Sequence, residues 1–337
     1  RFYECLGLNV LMVLVFISGL TMFMSGLVAN FENDLKKIIA LSTLSQLGLM
    51  ISILALGDSH LSFFHLLMHA LFKALLFMCA GCMIHNLVDC QDIRSMGAMS
   101  SLFPLTSCFF NICNLALCGL PFLSGFYSKD LILEFMSMNY MNIYIYVIYY
   151  FSTGLTAMYS VRLFYYTMIS DFNGLSYSSI VESGFKLLKG MGGLIIFVIL
   201  GGSLISWLVF PTPYFICLPF YMKIMTLIVV FLGGFMGYLV SLVSFMGWVD
   251  KKNYYLFFFF SSMWNLSDLS TLGVNYYFFI MGGKLYDGFD QGWSEYFGSQ
   301  NIFLIMKNSS NVMDKFFFGN LKIFLTLLLI WICFLFI

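Results

Sequence analysis

The feature that most limits what this chain can fold into is a succession of apolar runs, each long enough to cross a bilayer at about 17–25 residues. Leu8 to Asn30 is closed by Glu32, Asn33, Asp34 and the pair Lys36–Lys37. Ile38 to Leu56 stops at Gly57–Asp58, and Leu61 to Ile84 stops ahead of Asp89, Asp92 and Arg94. Phe103 to Met138 is too long for one straight helix and is interrupted at Gly119-Leu120-Pro121 and at Gly125. Met141 to Ser170, Met191 to Phe210 and Ile224 to Trp248 follow, and Ile323 to Ile337 is a last, shorter run. Backbone in hydrocarbon must satisfy its own polar groups, so these runs predict an all-α, polytopic membrane helical bundle. Only 9% of residues are charged, against about 25% in soluble domains. The net charge of zero offers nothing to a nucleic acid, which leaves the lipid bilayer as the partner that composition implies.

The third run carries the first chemical signal. In Ser62 to Phe77, SFFHLLMHALFKALLF, His65, His69 and Lys73 follow one another at i, i+4. That spacing keeps them on one stripe of a helix, drifting by roughly 40° per step. Lys73 lies near the middle of the run, and a central lysine in a bilayer costs about 2.5–3.5 kcal/mol on insertion scales, so it must face a bundle interior or a wet path. All four histidines (His60, His65, His69, His85) fall in or beside this segment. Lysine and histidine can both carry a proton as a cation and release it again, so the stripe reads as a proton relay. A metal site is disfavoured, since no carboxylate accompanies the histidines and Lys73 repels a cation.

The broken fourth run carries the second signal, LPFLSGFYSKDLILE from Leu120 to Glu134. Pro121 removes a backbone donor and clashes with the preceding turn, so the helix must interrupt there. Broken helices with ionisable groups beside the break are how transporters build ion sites at depth. Lys129, Asp130 and Glu134 occupy that position, with Lys129 the expected relay group. An ordinary proline kink, with Lys129 and Asp130 reaching to an interface, is the competing reading. Ser42, Thr43, Ser45 and Gln46 in the second run could line a path or serve helix packing, and Arg162 reads as a surface anchor. Cys79 and Cys82 have metal spacing but no second pair, and read as small buried hydrophobes.

Basic residues are biased to alternate loops. Lys36, Lys37, Arg94, Lys186, Lys189, Lys251 and Lys252 follow odd-numbered runs, whereas only Lys223 and Arg1 fall on the opposite side. The positive-inside rule assigns the first group to the cytoplasmic or mitochondrial-matrix side. Between the last two runs, Phe289, Trp293, Tyr296, Phe297, Phe303 and Leu304 recur at helical spacing among polar residues. This pattern predicts an amphipathic helix on the basic side.

Three stretches together, NDLKKIIALSTLSQLGLM (Asn33 to Met50), FFHLLMHALFKALLFMCAG and LPFLSGFYSKD, strongly resemble the chain 5 family of mitochondrial NADH–ubiquinone oxidoreductase, respiratory complex I, of an invertebrate animal kind. That family is related to subunits of multisubunit cation/proton antiporters. The resemblance implies a core with two inverted five-helix repeats, then a lateral helix and an anchor helix. On that scheme residues 1–170 form the second antiporter-like repeat, 171–250 two further transmembrane helices, 251–322 the matrix-side lateral region and 323–337 the anchor. The opening on Arg1 without an initiator methionine fits an N-terminally truncated fragment whose first repeat lies upstream. By motif, Lys73 matches the family's central-helix lysine, His65 and His69 its connecting histidines, and Lys129 the broken-helix lysine of an outlet half-channel.

The resemblance further implies a mitochondrial inner-membrane protein whose partners are the other membrane-arm subunits of complex I. No cofactor is expected in this chain. NAD, FMN, iron–sulfur clusters and ubiquinone belong to other subunits of such a complex. The function so implied is proton translocation coupled to NADH oxidation and ubiquinone reduction. The alternatives are an Mrp-type cation/proton antiporter subunit and a structural brace of a membrane complex, the latter having no use for ionisable residues at mid-membrane.

Overall fold

The computed structural model describes residues 3–138, 143–174, 181–182, 184–245, 255, 258–318 and 320–336. Arg1, Lys251 and Lys252 of the basic tally, and the run ends at Met141, Trp248 and Ile337, lie outside the described residues. Contacts divide the chain into two units, Arg1–Trp264 and Asn265–Ile337.

The first unit is a helical bundle: α1 Leu8–Phe31, α2 Leu35–Leu56, α3 Ser59–Asn86, the half-helices α4 Pro104–Cys118 and α5 Ser124–Met138, then α6 Ile143–Phe164, α7 Phe185–Val209 and α8 Phe220–Phe245. Among the described residues, α1, α2, α3, α7 and α8 (to Leu242) are each long and apolar enough to cross a membrane. Helix α6 has the length but spends its inward positions on Ser152, Thr153, Thr156, Ser160 and Arg162, all buried.

Local sequence explains each boundary. Gly57, at φ 115°, closes α2 in a left-handed turn that a side chain would strain. Asp58 then caps α3, its Oδ1 accepting the N–H groups of His60 and Leu61 at 3.0 Å each. Pro104 opens α4, where its missing N–H costs nothing. Near the break, Gly125 approaches Ala116 so closely that a Cβ on it would meet the Ala116 carbonyl oxygen at 1.7 Å.

Helix α3 sits at the centre, packed against α2, α4, α5 and α7. Its apolar face, including Phe64, Met68, Phe72, Leu76 and Ala80, joins the main core cluster. At one end of the bundle the short loops are stitched together. Leu35 N–H donates to Gln91 O at 2.9 Å, Ile93 N–H to Asn33 O at 3.0 Å, and Ala98 N–H to Ser170 O at 2.8 Å. Lys36, Lys37 and Arg94 gather at this end, as the loop parity requires. Arg162 departs from its expected role as a surface anchor. Its guanidinium is buried, donates to Glu32 O at 2.6 Å and Asn33 Oδ1 at 2.7 Å, and so clamps the α1–α2 loop to α6. At the other end the Tyr214 hydroxyl donates to Asp58 Oδ2 at 2.8 Å. Burial and the adjacent carboxyl push that hydroxyl above its ordinary value, so it remains a donor.

In the second unit, helical turns succeed one another from Leu266–Asp268 to α10 Asn301–Phe317, with α9 Val274–Leu285 between. The amphipathic pattern between Phe289 and Leu304 marks only part of this helix. Its glycines and serines fall largely in wider π-type turns at Leu269–Gly273, Tyr286–Ser294 and Tyr296–Gln300. Helix α11, Leu321–Leu335, follows.

Candidate functional site

Two lysines define the interior of the bundle, and each is held by the backbone feature beside it. In an α-helix the carbonyl of residue 117 would accept from the N–H of residue 121. Position 121 is proline, which has none. Lys129, from the half-helix across the break, supplies the donor instead, its Nζ lying 3.4 Å from Leu117 O and 2.7 Å from Thr156 Oγ1. The side chain is only 4% exposed, so it points into the bundle rather than to a membrane surface. The kink reading required the opposite.

Lys73, also 4% exposed, turns toward α2. Its Nζ donates to Ser42 Oγ and lies 3.4 Å from Ile39 O. Ser42 in turn donates to Ile39 O at 2.7 Å. Neither lysine has a carboxylate within ion-pair distance among the described residues. Both ammonium groups are therefore satisfied by hydroxyl and carbonyl oxygens alone.

His65 stands between these groups. Its Nε2 lies 3.2 Å from Gln46 Oε1 and its Nδ1 3.0 Å from Ser128 Oγ, so one ring touches both α2 and α5. Ser128 is the immediate neighbour of Lys129 in the chain. His69 has its ring centroid 6.4 Å from that of His65 and packs edge-on against Phe72 at 5.4 Å. Its Nε2 is buried with no direct protein partner.

The structure thus brings His65, Lys73 and Lys129 onto one polar seam, with His69 beside it. Asp130 and Glu134 lie apart. Asp130 lies against Thr226 of α8 and shares a small cavity with it, with Lys129 also on the wall. Glu134 sits one turn on, near Lys223. Adjacent helix positions diverge by roughly 100°, which is why Lys129 and Asp130 face different neighbours. Reading the sequence alone missed Ser128 and the hydroxyls of α6, above all Thr156. The missing signal is one of register. The inward stripe of α6, Thr153, Thr156 and Ser160 at i, i+3, i+7, is interleaved with buried tyrosines such as Tyr149 and Tyr159, so a split into aromatic and polar faces does not reveal it. Among the described residues no group of three or more His, Cys, Asp or Glu side chains is placed to hold a metal. Cys79 is buried against Met191, Sγ to Sδ 3.6 Å.

Comparison with known proteins identifies the family. Residues 159–337 match the family model of the NADH dehydrogenase subunit 5 C-terminus, and residues 2–156 that of the NADH:quinone oxidoreductase/Mrp antiporter transmembrane region. NADH-ubiquinone oxidoreductase chain 5 of Aedes aegypti is 54% identical over 320 residues, covering 95% of this chain and 55% of that protein. The chain of the same name from Locusta migratoria is 51% identical over 325 residues, covering 96% and 57% respectively. This chain therefore spans about half the length of the curated relatives it matches. Among solved structures, the Mrp complex from Dietzia sp. DQ12-45-1b aligns over 90% of this chain and 34% of its own, at TM-score 0.60 and 18% identity. The archaeal membrane-bound sulfane sulfur reductase aligns over 69% and 45%, at TM-score 0.51 and 22% identity. These two likenesses concern the fold. With half of the sequence matched by its model, the chain belongs to the NADH dehydrogenase subunit 5 family.

Proposed function

We propose that this chain is a proton-translocating membrane subunit of respiratory NADH:ubiquinone oxidoreductase, complex I, in the mitochondrial inner membrane. Its neighbours there are the other membrane-arm subunits. NAD, FMN, iron–sulfur clusters and ubiquinone are assigned to the rest of the complex, and this chain contributes proton transfer. Residues 1–170 act as the second antiporter-like repeat, and the helix through Leu266 to Phe317 as the lateral element. The observation that carries the reading is the pair of lysines, Lys73 and Lys129, buried with no counter-ion among the described residues, on a seam that passes through His65.

A fold does not retain an unpaired ammonium at such depth for packing, because an apolar residue of similar volume packs there at lower cost. Each lysine has oxygen acceptors already in place to hold it in either protonation state. Charge arriving from the quinone-reducing part of the complex would load and unload them in turn, with His65 and the hydroxyls bridging. The test is proton translocation per NADH oxidised in vesicles holding the intact complex. Lys73→Met should abolish or strongly reduce it, and Lys73→Arg should do less harm. Unchanged translocation with Lys73→Met would return the lysine to a packing role. Purification of the subunit in a sodium-exchanging assembly without NADH oxidation would favour the antiporter reading.

A further inference from the structure

Tyr159 is among the largest fully buried side chains of the molecule, at 2% exposure. Its hydroxyl nonetheless closes no direct hydrogen bond. It faces Ser42, Ser45 and Gln46 across the α2–α6 interface. Each of those contacts belongs to the seam. Ser42 holds Lys73, Gln46 holds His65, and Ser45 donates to Ser42 O at 2.9 Å. On α6 itself Thr156, which accepts from Lys129, lies three residues back on the same stripe. The two positions are about 4.5 Å apart along the helix axis, and a step between their hydroxyls runs through water. A buried hydroxyl left unpaired is destabilising.

We propose that the Tyr159 hydroxyl is the junction of the buried path, passing protons between the Lys73–Ser42 side and the Thr156–Lys129 side. This rests on the proton-translocating reading above. In each hop the phenolic oxygen takes a proton relayed from the Ser42 hydroxyl through one water as it gives its own to a second water against Thr156. One O–H bond forms as another breaks on the same oxygen, and the phenol stays neutral. Ser42 recovers its proton from the Lys73 ammonium, and the second water passes its excess proton to a neutral Lys129. No electron moves. Transfer in the other direction is the same sequence reversed.

The test is Tyr159→Phe, which deletes one oxygen and keeps the ring. It is compared with Lys73→Met in the assembled complex, reconstituted in sealed vesicles. Because the hydroxyl has no direct partner to lose, the variant should assemble to the native level. Translocation per NADH should fall on the order of tenfold, as when a positioned proton-transfer group is lost. Native translocation with Tyr159→Phe, while Lys73→Met abolishes it, overturns the junction but spares the path. Native translocation in both variants overturns the path itself. A loss of assembled Tyr159→Phe complex, with or without residual pumping per copy, also overturns the junction, since the hydroxyl then serves the fold.

Discussion

The bundle from α1 to α8 and the helix from Leu266 to Phe317 are both rich in aromatic and aliphatic residues, and they use them in opposite ways. In the bundle the polar groups go inside. His65, Lys73, Lys129, Gln46, Ser42 and Thr156 are buried, while Leu44, Leu47, Phe63 and Leu66 are turned outward. In the long helix the described side chains are almost all exposed, with Trp293 at 58% and Phe297 at 62%. Its length, on the order of 75 Å at 1.5 Å per residue, far exceeds what spanning requires. An inside-out polar seam implies chemistry within the subunit. An uncovered aromatic stripe implies contact with something outside it. The two regions should therefore fail differently when mutated, one in turnover and the other in assembly.

The largest expected effect is on the chemistry side, Lys73→Met, for the reason given above. Next is a packing lesion that erases the site by geometry. Gly125→Ala would drive a methyl group into the Ala116 carbonyl, only 1.7 Å from where it must sit. Backbone against backbone cannot give way as a side-chain tip can, and overpacking of this kind costs about 1–3 kcal/mol or more. The two half-helices should separate, and native gels should show less assembled complex. Full assembly with normal pumping would mean that the break tolerates a wider gap than the structure shows.

The third effect lies on the long helix. Trp293 and Phe297 stack with ring centroids 5.3 Å apart, one turn of a contact stripe. Trp293→Ala or Phe297→Ala should reduce the amount of assembled complex more than its activity per copy. Large aromatics buried at a contact contribute about 3–5 kcal/mol when truncated. A full yield of assembled but uncoupled complex would blur the comparison and give this helix a part in transmission. The smallest effect is expected at Asp130→Asn. Asp130 faces Thr226 rather than the seam, and asparagine keeps an acceptor for that contact. Translocation per NADH should fall by no more than about twofold, since only local electrostatics change. A loss equal to that of a lysine variant would extend the path to α8.

How much of this was legible in the sequence depended on whether the signal was local. The spans were readable because apolar length is a property of consecutive residues, and α1 begins at Leu8 as its run does. The His65–His69–Lys73 stripe was readable from i, i+4 spacing, and the break from Gly119, Leu120 and Pro121. What Lys129 bonds to was not readable, because its acceptor, Leu117 O, becomes available only through the proline four residues on. Thr156 and Tyr159 were hidden by their surroundings: in a helix crowded with tyrosines, only the facing α2 shows which hydroxyl meets Ser42, Ser45 and Gln46. Arg162 misled because a late-span arginine commonly marks an interface, whereas here the α1–α2 loop folds over it. The long helix was under-read because its π-type turns shift the spacing on which periodicity depends.

In the proposed function the broken helix feeds its lysine into the same path as the His65–Lys73 stripe. The most direct measurement is proton translocation per NADH oxidised for Lys129→Met, in sealed vesicles matched for assembled complex. Methionine keeps the apolar stem and removes the ammonium that bridges Leu117 O and Thr156. Translocation should fall on the order of tenfold or more, the scale of losing a proton-transfer group. Native translocation by a fully assembled Lys129→Met complex would contradict the account and leave Lys129 as a plug for the carbonyl freed by Pro121.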